Sequence, residues 1–303
     1  MPRIAYFGPQ GTFTEQAAGS LAGQGDELVP VDTIASALAS VRAGETDAAC
    51  VPVENSVEGA VPATMDALAD GEPVTAVAEA VLPVRFTVLT GQDTEQIRTV
   101  ASHPHALAQV RGWLAEHLPQ AQLVASTSTA AAAVGVQRGE FDAAVTAPVA
   151  VTHYPLRVLA TDVADVPDAV TRFLLLRRPA TPPPPTGADR TSIIAFMPDR
   201  TAALAEVLNE LAVRGISLTR LDARPTKGRL GEYRFHLDMA GHIAEQRIGD
   251  ALAALHRRCT NVRFLGSFPR ADGVPSTVSA TAGDTDFVTA ADWVAAIRNG
   301  DQA

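Results

Sequence analysis

The feature that most constrains the fold is a repeat within residues 1–178, where strands and helices alternate twice in the same order. RAGETDAACV (42–51) resembles QRGEFDAAVT (137–146), and each phrase closes a strand–helix–strand–helix–strand run. Alone, the phrase is also a common way to end a helix and enter a strand. The matching order of elements instead predicts two βαβαβ lobes, each with a parallel sheet covered by helices, and a ligand cleft between them.

A proline run separates this repeat from a different pattern. Proline fixes the backbone and lacks an N–H donor, so we expect an extended, semi-rigid linker around PATPPPPTG (179–187). The pattern after it is βαββαβ, with a hairpin turn at TKGRLG (226–231). The predicted organisation is a domain at 1–178, with lobe 1 at about 1–75 and 160–178 and lobe 2 at about 76–159; a linker at 179–190; a second domain at 191–268; and a tail at 269–303 with a short helix capped by Thr289.

Composition and charge exclude several classes of function. Acidic residues outnumber basic ones 34 to 24, which gives a net charge of −10 that repels nucleic-acid phosphates. Neither a membrane span nor the apolar core of a signal peptide is visible in the sequence. Cys50 and Cys259 lie far apart, and His103 and His105 lack acidic or cysteine partners at metal-ligand spacing. We therefore expect a cytoplasmic protein that binds no nucleic acid, membrane or metal.

Three turns lie where parallel-sheet proteins bind ligands, between the end of a strand and the start of a helix. They are GPQGTFTE (8–15), with Thr12 or Thr14 as cap, ASHPHAL (101–107) and ASTSTAA (125–131). The first has the spacing of neither a dinucleotide fingerprint nor a P-loop. Unpaired N–H groups at helix starts attract anions, so three such turns predict a ligand that carries carboxylates.

Two further segments combine polar and buried character. DAVTRFLLLRR (168–178) reads as a buried strand that nevertheless contains Thr171 and Arg172. Because a buried guanidinium needs an anionic partner, Arg172 should face a carboxylate of the protein or of a ligand. VPVENSVEGAVP (51–62) reads as a strand that ends in a polar loop. By themselves, these segments favour structural roles: a salt bridge from Arg172 to a neighbouring acid, and a polar loop in which Asn55 or Ser56 caps a helix.

In order along the chain, GPQGTFTE, PVENSVEGAV, SHPHALAQ and TRF resemble the prephenate dehydratases, and GISLTRLDARP (215–225) resembles the second strand of that family's C-terminal ACT regulatory domain. The resemblance leaves only the tail uncovered. It implies an α/β fold with a two-lobed, periplasmic-binding-protein-like catalytic domain and a ferredoxin-like ACT domain. It also implies a carbon–oxygen lyase that converts prephenate to phenylpyruvate, CO2 and water in L-phenylalanine biosynthesis. No cofactor or metal is implied, and the expected assembly is a homodimer or homotetramer.

The resemblance also assigns residues to roles. Thr171 would hydrogen-bond the leaving hydroxyl and pass a proton to it, while Arg172 would neutralise a substrate carboxylate or hold Glu54. The catalytic residues implied are Thr171, Arg172 and Glu54, and the substrate-binding residues are Asn55, Ser56, Gln109, Phe173 and Thr12.

Phenylalanine is implied to act as an allosteric ligand of the ACT domain, where two segments from different subunits meet. The implied residues are Ala202, Ala203 and Leu204 in the first segment, and Leu221, Asp222, Ala223, Arg224 and Pro225 in the second. Ala202 replaces the glycine usual in the family, and Ala223 replaces a serine, so we expect weaker phenylalanine binding. Two alternatives stay open at this point: an arogenate dehydratase and a non-catalytic amino-acid sensor.

Overall fold

The computed structural model describes residues 1–226, 228 and 231–300, and the chain separates into two compact units. The first unit comprises Met1–Ala67 and Glu79–Arg178, and the second comprises Leu68–Ala78 and the chain from Pro179 onward. Positions 227, 229 and 230 of the predicted hairpin turn, and 301–303 of the predicted tail, lie outside the described residues. No helix in the described part of the chain is long and apolar enough to cross a membrane.

The two lobes are built from the elements up to residue 178. In chain order these are β1 (Arg3–Phe7), α1 (Phe13–Leu21), β2 (Glu27–Val31), α2 (Ile34–Ala43), β3 (Ala48–Asn55), β4 (Gly59–Ala60), α3 (Pro62–Ala69), β5 (Thr75–Pro83), β6 (Thr87–Thr90), β7 (Thr99–Ser102), α4 (Pro104–Gln109), α5 (Arg111–His117), β8 (Gln122–Ala125), α6 (Thr129–Gln137), β9 (Ala143–Thr146), β10 (Arg157–Thr161) and β11 (Val170–Arg177).

Each lobe has one sheet. The first has the order β2-β1-β3-β11-β5, with β4 paired to β3, and the second has the order β10-β6-β9-β7-β8. β1 is parallel to β2 and β3, and β7 is parallel to β8 and β9, which confirms a βαβαβ unit in each lobe. β11 is antiparallel to β3, and β6 is antiparallel to both β9 and β10, so both sheets are mixed.

The predicted boundary between the lobes was wrong. The whole of β5, as far as Pro83, belongs to the first sheet, and β10 belongs to the second. The chain therefore changes lobe after Pro83 and again between Thr161 and Val170. TAVAEAVLP runs without a glycine or an internal proline, so nothing interrupts the strand before Pro83.

The segment HPHALAQVRGWLAEH (103–117) has the sequence pattern of a single helix, but in the structure it is broken in two at Val110, whose φ is −126°. The Val110 side chain is fully buried in the core of the second lobe. The freed N–H groups of Gly112 and Trp113 donate to the carboxylate of Asp165, at 3.0–3.3 Å. This carboxylate caps the new helix start and so compensates for the break.

The second unit has the predicted βαββαβ order, followed by a helix. Its elements are β12 (Asp189–Phe196), α7 (Ala203–Ala212), β13 (Leu218–Pro225), β14 (Tyr233–Ala240), α8 (Gln246–Arg258), β15 (Asn261–Pro269) and α9 (Asp284–Arg298). The antiparallel sheet has the order β13-β14-β12-β15, a ferredoxin-like arrangement. One sheet face packs its core, including Ile193, Leu237 and Met239, against the helices.

Two boundaries in this unit differ from the prediction. β12 begins at Asp189, inside the expected linker, because the Asp189 carboxylate accepts hydrogen bonds from the N–H groups of Thr186 and Gly187 and fixes the turn before the strand. The final helix begins at Asp284 and is capped at Gly283, so the prediction of Thr289 as its cap was wrong. Asp286 accepts a hydrogen bond from the Gly283 N–H, which starts the helix earlier.

A segment from the first half of the chain, Leu68–Ala78, lies within the second unit. Arg263 donates to the carbonyl oxygens of Leu68 and Asp70, at 3.0 and 3.3 Å. Arg234 pairs with the Asp70 carboxylate at 3.3 Å. A side chain at Gly266, whose φ is +130°, would overlap the Ala76 carbonyl oxygen, so close passage of the segment requires glycine there.

Candidate functional site

A cavity of about 220 Å³ lies between the two lobes of the first unit. Its lining comes from the β1–α1 turn, the ends of β3 and β11, the crossing between the lobes and the helix starts of the second lobe. The lining residues are Phe7, Gly8, Thr12, Phe13, Thr14, Asn55, Val84, Phe86, His103, His105, Ala106, Gln109, Thr127, Ser128, Thr129 and Thr171. The rings of Phe13 and Phe86 meet edge to face, with centroids 5.5 Å apart, and form an apolar wall.

Half of the predicted site residues meet at this cavity. Thr12, Asn55, Gln109 and Thr171 line it, although they come from four different elements. Glu54, Ser56, Arg172 and Phe173 are outside the lining, and Phe173 is fully buried. The roles given to all eight residues stay predictions.

Asn55 holds the hydroxyl of Thr171 in a defined orientation. Its amide nitrogen Nδ2 donates to Thr171 Oγ1 at 2.9 Å, and its Oδ1 accepts from the N–H groups of Val57 and Glu58 at 2.8 and 3.0 Å. Because backbone donors occupy Oδ1, the NH2 group must face Thr171. The hydroxyl of Thr171 therefore accepts from Asn55 and keeps its own proton for a ligand in the cavity.

Ser56 binds the same loop to β11. Its Oγ accepts from the Val170 N–H, and its own N–H donates to the Val170 carbonyl, both at 2.9 Å. These two bonds hold the β3 end beside the start of β11. Ser56 therefore fixes the position of the Asn55–Thr171 pair.

Helix starts from opposite lobes open onto the cavity. Thr12 caps α1 by accepting from the Glu15 N–H at 3.3 Å, and Ser128 caps α6 by accepting from the Ala131 N–H at 2.9 Å. The partial positive charge of a helix N-terminus stabilises an anion. Gln109 is 7% exposed, and its Oε1 has no hydrogen-bond partner among the described residues. The cavity thus offers two anion-attracting ends and one buried acceptor.

The two histidines of the turn ASHPHAL, His103 and His105, also line the cavity. His103 Nδ1 accepts from the His105 N–H at 3.3 Å and caps α4, and the two rings are perpendicular, with centroids 5.0 Å apart. Burial, and then the charge of His105, lowers the pKa of His103, so this ring is neutral near pH 7. Sequence reasoning missed this location, although the pair lies in one of the three strand-to-helix turns.

Arg172 points away from the cavity. Neighbouring side chains in a strand alternate between faces, so Arg172 lies on the opposite face of β11 from Thr171. Its Nε is 3.7 Å from Glu79 Oε2, and the two side chains are 7% and 2% exposed. The strand register also places Arg172 opposite Glu54 of β3. Sequence reasoning missed Glu79 because β5 was not recognised as a strand of this sheet.

A second cavity, of about 150 Å³, lies in the second unit. It is lined by Met197, Pro198, Asp199, Arg200, Ala203, Leu204, Gly231, Tyr233 and Phe235. Of the predicted allosteric residues, Ala203 and Leu204 line it, and Ala202 precedes them with a left-handed φ of +66°. Leu221, Asp222, Ala223, Arg224 and Pro225 lie on the edge strand β13, outside this lining.

No group of three or more His, Cys, Asp or Glu side chains within the described ranges could hold a metal ion.

Comparison with known proteins gives a consistent picture. The family model for prephenate dehydratase matches residues 4–181. The prephenate dehydratase of Amycolatopsis methanolica is 69% identical over 304 residues, which cover 100% of both chains.

Solved structures extend the likeness to the whole fold. The prephenate dehydratase of Arthrobacter aurescens, in complex with L-Phe, has a TM-score of 0.93 and 43% identity, over 98% of this chain and 99% of that chain. GqqA, described as a novel type of quorum-quenching acylase, has a TM-score of 0.79 and 30% identity, over 88% of this chain and 97% of that chain.

Proposed function

The chain belongs to the prephenate dehydratase family and is an enzyme of that activity, and from this premise we propose that the cavity between its lobes is the active site. The observation that carries the proposal is the hydrogen bond from Asn55 to Thr171, made within a cavity onto which two helix N-termini open. Because the chain is an enzyme, the alternative of a non-catalytic sensor is set aside.

The chemistry of the lining suits the substrate. Prephenate carries two carboxylates, and the starts of α1 and α6 offer N–H groups from the two lobes. The apolar wall of Phe13 and Phe86 suits the ring and the carboxylate that departs. Strong ground-state binding of that carboxylate would not raise kcat, so an apolar neighbour is favourable there.

Thr171 is the proton donor to the leaving group in this proposal. As the bond to the departing carboxylate breaks, its electron pair enters the ring, CO2 is released, and the ring C–O bond breaks. The leaving hydroxide takes a proton through the Thr171 hydroxyl and departs as water, and solvent returns the proton to Thr171. The hydrogen bond from Asn55 polarises the hydroxyl, which by itself is a weak acid.

Substitution of Thr171 tests this assignment. Thr171→Ala should lower kcat by about 10²–10⁴-fold, the usual contribution of a general acid. Thr171→Ser should retain measurable activity because it keeps the hydroxyl. Thr161→Ala, at an exposed position of β10, is the matched control. Near-normal formation of phenylpyruvate by Thr171→Ala would remove this residue from the mechanism.

Arogenate is the second candidate substrate, and Gln109 is the observation that keeps it open. The buried Oε1 of Gln109 can accept a hydrogen bond from the ring hydroxyl of prephenate or from the ammonium group of arogenate. Purified enzyme should be assayed with both compounds, by absorbance of the aromatic product. A kcat/KM ratio in favour of arogenate would overturn the preference for prephenate.

The proposal extends to regulation of the enzyme by phenylalanine at the second unit, taken as an ACT domain. The βαββαβ order and the cavity beside Ala203 and Leu204 support it, and the related Arthrobacter aurescens enzyme is known in complex with L-Phe. The site is proposed to be completed by β13 of another subunit in a homodimer or homotetramer. Light scattering should give at least a dimer, and calorimetric titration should detect phenylalanine binding. A monomer that binds no phenylalanine would contradict both parts.

A further inference from the structure

Strand β5 is divided between the two units, because a boundary falls after Ala78 within Thr75–Pro83. The chain just before it is fixed in the second unit at two points, by Arg263 on the carbonyls of Leu68 and Asp70 and by Arg234 on the Asp70 carboxylate. Gly266 allows a third close approach, at Ala76. These contacts with β14 and β15 fix the position of the first half of β5.

The second half of β5 begins with Glu79, which pairs with Arg172 at 3.7 Å. Both side chains are almost completely buried, and a buried charge is strongly destabilised when its partner is lost. Arg172 directly follows Thr171 in β11, so the guanidinium and the catalytic hydroxyl are carried by the same short stretch of backbone. Ala76 lies three residues before Glu79, about 10 Å along an extended strand.

Resting on the assignment of Thr171 above, we propose that Glu79 is a positioning residue for the dehydration. It holds Arg172, and thereby the orientation of Thr171 towards the leaving hydroxyl. The second unit sets the place of Glu79 by holding the strand that carries it. Binding of a regulatory ligand to the second unit can therefore shift Glu79 through the backbone of β5. Glu79 contacts Arg172, the residue next to the proton donor.

Glu79→Gln tests the first half of this proposal, since it removes the charge and keeps the size. Neither Glu79 nor Arg172 lines the cavity. The variant should therefore lower kcat and leave the KM for prephenate unchanged. A small misplacement of a catalytic group can cost about 10²-fold in rate, and a loss of this order is expected. Glu79→Asp keeps the charge and should recover part of it. Glu116→Gln, at an exposed carboxylate of the second lobe, is the control.

The rate must be expressed per binding-competent site, because loss of a buried ion pair also reduces the amount of folded protein. Calorimetric titration with the product, phenylpyruvate, counts these sites in each preparation. A purely structural role for Glu79 would reduce the count and leave kcat per site unchanged, and that result overturns the proposal. A reduced kcat per site with normal phenylpyruvate affinity supports it.

Arg263→Gln tests the second half, because Arg263 lies in the second unit and donates to the carbonyl oxygens of Leu68 and Asp70. It should lower kcat severalfold in the otherwise unmodified enzyme and have no further effect in the Glu79→Gln background, since coupled residues are not additive. Arg257→Gln, at an exposed arginine of α8, is the matched control. Equal effects of Arg263→Gln in both backgrounds, or no effect in either, overturn the coupling.

The outcomes separate this inference from the assignment on which it rests. Full activity of Thr171→Ala would refute the proposed mechanism itself. An inactive Thr171→Ala together with a fully active Glu79→Gln would refute only the positioning role.

Discussion

Replacing Ala202 with glycine is expected to raise the free energy of unfolding of the second unit. It precedes α7 with φ +66° and ψ 3°, in the left-handed region, and its side chain forms no cap hydrogen bond. A Cβ atom in this conformation is strained by roughly 1–2 kcal/mol, whereas glycine adopts it freely. Ala202→Gly therefore restores an unstrained helix start.

The net gain in the free energy of unfolding is smaller than the strain energy removed, because glycine also raises the conformational entropy of the unfolded chain. That freedom is worth about 0.4–1 kcal/mol against the folded state. Subtracting it leaves an expected increase of about 0.5–1 kcal/mol in the free energy of unfolding of the second unit. Ala205→Gly is the control with the opposite sign, because Ala205 is exposed within α7, where the same change should destabilise by about 1 kcal/mol.

Urea unfolding followed by circular dichroism measures both variants. The same proteins should be titrated with phenylalanine, because the methyl group of Ala202 crowds the backbone at the start of α7 and its removal should tighten binding. If Ala202→Gly destabilises the protein as much as Ala205→Gly does, the reasoning from the left-handed φ is refuted. Weaker phenylalanine binding by Ala202→Gly would refute the steric argument separately.

Three further outcomes are expected. The pKa of His103 is lowered in the folded state, so between that pKa and the ordinary histidine value the unfolded state binds more protons. The free energy of unfolding should therefore fall as the pH drops through this range. His103→Gln should reduce this fall, as measured by urea titrations at several pH values. Gly11→Ala should lower both the melting temperature and kcat. Gly11 has a φ of +89°, and a Cβ atom there would lie 2.7 Å from the ring of Tyr154 in the other lobe. Thermal unfolding and steady-state kinetics measure the two effects. Burial raises the pKa of the Cys50 thiol, so a thiol reagent should leave it unmodified until urea unfolds the protein, and should modify the half-buried Cys259 first.

Local patterns in the sequence were sufficient to predict much of the order of strands and helices. The alternation of strands and helices follows from hydrophobic periodicity over short windows, and it predicted both βαβαβ lobes and the βαββαβ unit. The strand that a segment pairs with is a long-range choice, which depends on packing rather than on its own residues. For that reason the place of β5 beside β11 was missed, and with it the lobe boundary.

The candidate site, too, was predicted from the sequence only in part. Thr12, Asn55, Gln109 and Thr171 lie in motifs whose order resembles a family, and they meet at one cavity. The side that Arg172 faces depends on strand alternation within a sheet whose neighbours were not all known. Glu79 has no motif around it, so only the ion pair reveals it.

The contacts that hold Leu68–Ala78 in the second unit also bear on the order in which the chain folds during synthesis. Arg263 and Leu68 are 195 residues apart, so their hydrogen bond cannot form until β15 has left the ribosome. At about 5–20 residues per second, that interval is roughly 10–40 s. Until then β5 lacks these contacts, even after β11 has been made and pairs with it, and an incompletely held sheet edge is a starting point for aggregation. Contacts at this sequence separation also slow folding. The lobes can therefore form co-translationally, but their outer strand is completed only after the second unit has folded.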